Sequence, residues 1–128
     1  MSVSSQTASA IPDGDRRQWP RLRLTGELHG GLLPFAHVLA VRDVSEGGFA
    51  VEAPIAFVPG IQYLFEFSTA GRKHRPLKAV SVHCMRVSQG TGTCYLAGFE
   101  FMMSDAVDRQ TIDAMLNDVR ALLAARSS

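Results

Sequence analysis

The chain has 128 residues, 46% of them hydrophobic and 20% charged, which suits one globular domain with a single core that needs neither disulfides nor metal. A formal net charge of +1 excludes a protein that coats duplex nucleic acid, because that task needs a basic excess over a whole face. The first ten residues hold no apolar h-region, and the most apolar window, Leu32 to Val41, is short and interrupted by Pro34 and His37. These features predict a cytoplasmic protein without membrane insertion, its two cysteines, Cys84 and Cys94, carried as free thiols.

Residues 1–15, rich in Ser, Ala and turn formers, read as a disordered tail, and residues 16–125 as one folded domain. From Leu22 the pattern takes period two, with Leu22, Leu24 and Leu28 alternating with polar residues, which predicts a half-buried strand ending in a loop at Gly30-Gly31. A second strand is predicted over His37–Val44 and a third over Phe49–Ala53, joined as an antiparallel hairpin by the short Gly-rich turn at Ser45-Glu46-Gly47-Gly48. Ile61, Tyr63, Phe65 and Phe67 alternate with polar residues in the clearest strand, where Leu64 is the one apolar residue on the outer face.

The polar stretch from Ala70 to Pro76, including Arg72-Lys73-His74-Arg75, reads as a solvated hairpin tip. A long hairpin follows, Leu77–Ser88 and Cys94–Phe101 about Gly90-Thr91-Gly92, whose regular register would put Cys84 and Cys94 on opposite faces. After Ser104, a good N-cap, apolar residues recur every three or four positions from Ile112 to Leu123, predicting an amphipathic helix to about Ala125. The whole is mainly β: a six-stranded antiparallel barrel, a C-terminal α-helix over one opening, and a flexible N-terminal arm.

Two stretches carry chemistry. Arg17-Gln18-Trp19-Pro20-Arg21 places guanidinium forks on a segment that Pro20 keeps out of helical geometry, within a local basic cluster of Arg16, Arg17, Arg21 and Arg23. Asp43-Val44-Ser45-Glu46-Gly47-Gly48 is a tight turn with an acid and a hydroxyl. Arginine reads phosphate oxygens and the O6/N7 edge of guanine, and a carboxylate accepts from guanine N1–H and N2–H₂, so the pair suits a phosphorylated guanine nucleotide. Each alone is an ordinary surface feature; Trp19 is as well suited to anchoring its loop as to stacking on a purine. The four histidines lack metal-ligand spacing, and no P-loop, nucleophile elbow or other catalytic constellation occurs.

In order and spacing the two stretches resemble the signature of the PilZ domain, R-x-x-x-R followed by [D/N]-x-S-x-x-G, filled here by Arg17, Arg21, Asp43, Ser45 and Gly48. The likeness extends to Val58-Pro59-Gly60 before a strand and to the closing pair Met85-Arg86-Val87 and Leu96 to Phe101. It implies a receptor for cyclic di-GMP, not an enzyme, that folds its N-terminal arginine loop over the ligand and signals to a protein partner. Arg17 and Arg21 would bind phosphates and guanine, Asp43 and Ser45 the guanine polar edge, and Gly48 would keep the turn open. Arg16, just before the first signature arginine, implies stacking on a base and an intercalated pair of ligands. Two other readings remain: a PilZ-fold adaptor that binds no nucleotide, and a barrel for single-stranded nucleic acid.

Overall fold

The computed structural model describes residues 20–35, 37–90 and 92–127. The elements are β1 (Leu22–Arg23), β2 (His29–Leu33), β3 (His37–Val44), β4 (Gly48–Ala53), β5 (Gln62–Thr69), β6 (Arg72–Lys73), β7 (Leu77–Gln89), β8 (Gly92–Phe101) and α1 (Ala106–Ser127). Strands pair in the order β3-β2-β5-β7-β8-β4, and β4 pairs back to β3, so six antiparallel strands close into a barrel. The short β1 and β6 lie off this ring on β3 and β5. Closure leaves the six principal strands hydrogen-bonded on both sides, which removes the exposed edges of an open sheet.

The interior is phenylalanine. Phe49 on β4 sits at its centre, with the rings of Phe65, Phe67 and Phe99 each 5.0 Å away and Phe101 at 5.2 Å. Edge-on packing dominates, as ring quadrupoles prefer. The stripe Ile112, Met115, Leu116 and Val119 of α1 is fully buried and completes this core.

Ion pairs fix the helix. His74 Nε2 lies 3.1 Å from Asp118 Oδ2 without hydrogen-bond alignment, so that contact is charge–charge once the imidazole is protonated. Arg72 faces the same carboxylate at 3.6 Å, and Arg75 donates to Asp108 at 3.0 Å. Arg72, Lys73 and Arg75 of this stretch are solvent-exposed, as expected, but the stretch also docks α1: His74 is buried there, and Arg72 and Arg75 have acidic partners on the helix. Arg126 pairs with Glu27 at the other end. The helix cap falls one residue later than Ser104, because Asp105 Oδ1 accepts the Asp108 N–H at 3.0 Å while the Asp108 carboxylate accepts the Ser104 N–H.

Three further expectations are corrected. The first strand is not continuous from Leu22 to Leu28: the chain bends away at Thr25–Glu27, where Gly26 has a φ of +113° that favours glycine, and resumes in the same direction as β2, antiparallel to β3 like β1. Gly30-Gly31 lies inside β2, not in a loop; a Cβ on Gly30 would press against the Phe67 ring at 3.3 Å, so this glycine makes room for the core. Ile61 precedes its strand and is exposed, whereas Leu64 does face outward, and Thr69 ends the buried row of β5. The register of β7 with β8 does set Cys84 and Cys94 on opposite faces: Cys84 packs against the core, and Cys94 meets the Glu52 carboxylate at 3.3 Å outside it.

Candidate functional site

The signature residues among those described converge. Arg21, Asp43, Ser45 and Gly48 line one open cavity of about 750 Å³ on the outer face of the barrel, with Ala50, Gly98 and His83 further along it. Arg16, Arg17 and Trp19 lie outside the described residues.

Register explains the convergence. Leu22 is opposite Val44 and Arg23 opposite Asp43, so Arg21 lies diagonally from Asp43, within reach of a long side chain. The Arg21 guanidinium donates to Asp43 Oδ1 in an ion pair whose partners are each a little over a quarter exposed. Arg21 Nε is buried and makes no hydrogen bond among the described residues, so the guanidinium keeps an unused donor beside the cavity.

The β3–β4 turn is held from three sides. Ser45 N–H donates to the Gly48 carbonyl at 2.8 Å, and the Ser45 hydroxyl accepts the Gly47 N–H at 3.2 Å. Phe101 N–H donates to the Gly47 carbonyl at 3.0 Å, and Arg109 of α1 donates to Glu46 at 2.9 Å. Ser45 is buried, and its hydroxyl serves first to shape the turn. Gly48 is constrained by proximity: a Cβ there would overlap the Phe99 carbonyl on β8, so glycine lets β4 approach β8 beneath the site.

Sequence reasoning passed over the β7–β8 side of the cavity, where Val82, His83 and Gly98 lie. Their only signal is register: His83 is opposite Gly98, Gly98 opposite Ala50, and Ala50 opposite Asp43. Among the described residues no cluster of three or more His, Cys, Asp or Glu could hold a metal, and no helix is long and apolar enough to cross a membrane.

A closed six-stranded barrel with a C-terminal helix, and an Arg, Asp, Ser and Gly site on its outer face, define a class of β-barrel domain. The family model for the PilZ domain matches residues 15–118, and the chain belongs to that family. No curated protein matches it in sequence. Among solved structures, it is similar to MrkH of K. pneumonia in complex with c-di-GMP, at 18% identity and a TM-score of 0.69 over 88% of this chain and 56% of that one. The PilZ domain of YcgR from Escherichia coli with c-di-GMP aligns at 13% identity and a TM-score of 0.68, over 88% of this chain and 97% of that one. The Bacillus subtilis inhibitor of motility, MotI/DgrA, aligns at 19% and 0.56, over 80% and 52%. At these identities the likeness is one of fold, and the chain spans about half the length of MrkH and MotI.

Proposed function

We propose that the protein is a cytoplasmic receptor for cyclic di-GMP that acts by binding a protein partner, and is not an enzyme. The observation that carries this reading is the Arg21–Asp43 pair beside the Ser45–Gly48 turn, all on one open cavity of a PilZ barrel. The Asp43 carboxylate accepts from the N1–H and N2–H₂ of guanine. Arg21, with a donor already unused, turns to the O6/N7 edge or a phosphate oxygen. Arg16 and Arg17, five and four positions earlier in the chain, bring further positive charge to the phosphates, so that ligand draws this segment onto the barrel. The new surface is what the partner reads, in motility or a related regulatory pathway. Stacking by Arg16 on an outer guanine accommodates two ligand molecules as an intercalated pair.

Calorimetric titration with cyclic di-GMP, with GMP as control, tests the reading. The parent should bind saturably at two per chain, falling towards one in Arg16→Leu. Arg21→Ala and Asp43→Ala should each weaken binding about ten- to a hundredfold, the loss of a bidentate charged contact, with unchanged melting. No saturable binding by the parent, or normal binding by both variants, would contradict it. Hydrogen exchange should show residues 16–21 gaining protection when ligand is added.

A further inference from the structure

Two β-bulges fall on a single rung of the barrel. The β3–β4 ladder slips between Val41 and Asp43, and the β7–β8 ladder slips between Ser81 and His83. Each slip reverses the in-and-out alternation of its strand. Val41 is buried, and an unbroken strand would turn Asp43 into the core with it; Ser81 is buried, and an unbroken strand would turn His83 inward too. Because of the bulges, both side chains point outward instead.

They point outward in the same row. Asp43 is opposite Ala50, Ala50 opposite Gly98, and Gly98 opposite His83. Three strand spacings separate the carboxylate from the imidazole, about 14 Å along the sheet. Between them lie an alanine and a glycine, which leave a low floor wide enough for a planar base. The His83 ring occupies the space a side chain at Gly98 would fill, so the glycine is what lets the imidazole lie over the floor. His83 is otherwise exposed, and among the described residues no hydrogen bond or ion pair engages its nitrogens. A planar ring held over a bare floor, lining the same cavity as Arg21 and Asp43, is a stacking surface.

We infer that His83 is a ligand-contacting residue: its imidazole stacks on a guanine base of the cyclic dinucleotide, at the end of the site remote from the Arg21–Asp43 pair. The inference rests on the proposed receptor function and adds to it a contact from β7 that lies outside both signature stretches. A stacking role makes a specific demand, since an aromatic replacement preserves it and an aliphatic one of similar bulk does not.

Cyclic di-GMP titrated calorimetrically into the parent, His83→Phe, His83→Leu, His83→Ala and Arg21→Ala tests it. The Phe variant should bind within about threefold of the parent, and the Leu and Ala variants about tenfold more weakly, the scale of one lost base–aromatic stack, with melting unchanged. Independently of any variant, the His83 ring C–H resonances of the parent, assigned by their loss in His83→Phe, should move upfield under the base ring current when ligand is added. Parent-like binding by the Leu and Ala variants, equal weakening in Phe and Ala, or ring resonances that do not move upfield would each overturn the inference. If Arg21→Ala loses binding while the His83 variants keep it, the stacking contact fails and the receptor reading stands. A parent that does not bind would overturn both.

Discussion

The two faces of β4 are made from adjacent residues and do opposite work. Phe49, Val51 and Ala53 point inward and are buried, and Phe49 alone touches four other phenylalanine rings. Gly48 and Ala50, between them, belong to the floor of the outer cavity, where the useful property is to be small. Inside, the strand is specified by volume; outside, by the polar groups that stand at the floor's ends, Arg21 with Asp43 at one and His83 at the other. Stability and the proposed recognition thus fall on opposite sides of the same backbone, and substitutions should separate them.

The largest break comes from the inner face. Phe49→Ala removes the ring about which the core is packed and should cost about 3–5 kcal/mol, measured by urea denaturation. A loss under about 1 kcal/mol would mean that the phenylalanine cluster is not what holds the barrel. Gly48→Ala sharpens the comparison because a signature residue is then expected to behave as a structural one. Its new Cβ would meet the Phe99 carbonyl, so β4 and β8 must separate, at about 1–3 kcal/mol in the same measurement.

Smaller effects follow at the surface. Glu46→Gln breaks the pair between the β3–β4 turn and Arg109 of α1; both partners are more than a third exposed or nearly so, and the expected loss is below about 1 kcal/mol, shrinking as salt is added. The two cysteines report the faces directly. Cys84, half-buried against the core with its sulfur accepting the Phe57 N–H, should be alkylated more slowly than Cys94. Cys94 reacts from the folded state, but burial and the hydrogen-bonded Glu52 carboxylate push its thiol above the usual range, leaving less thiolate at pH 8. Glu52→Gln should therefore speed its alkylation modestly and leave Cys84 as slow as before; slower labelling of Cys94 would reverse the assigned sign.

What could be read from the sequence follows the same division. The bounds of β3, the β3–β4 hairpin, the long β7–β8 hairpin and the helix were legible because apolar periodicity reports which side of a strand or helix is buried. Gly30-Gly31 misled because a glycine that admits Phe67 looks like a glycine that makes a loop. In the solvated Arg72 to Arg75 stretch, the buried His74 and the pairs that Arg72 and Arg75 make with α1 left no local signal, because their acidic partners lie more than thirty positions away on the helix. On the site, the Arg21, Asp43, Ser45 and Gly48 grouping was legible from local spacing and is brought together on one cavity. Gly98 and His83 were not legible, since a bulge changes the parity of a strand without leaving a residue pattern that marks it.

The claim that recognition sits on the outer row and not in the core is tested most directly by mapping backbone amide shifts of the intact protein as cyclic di-GMP is added. The account predicts changes concentrated at Arg21, Asp43, Ala50, Gly98 and His83, with Phe65, Phe67, Ile112 and Met115 nearly still. Changes centred on the helix or the β5–β6 side, with the row from Asp43 to His83 unmoved, would contradict it.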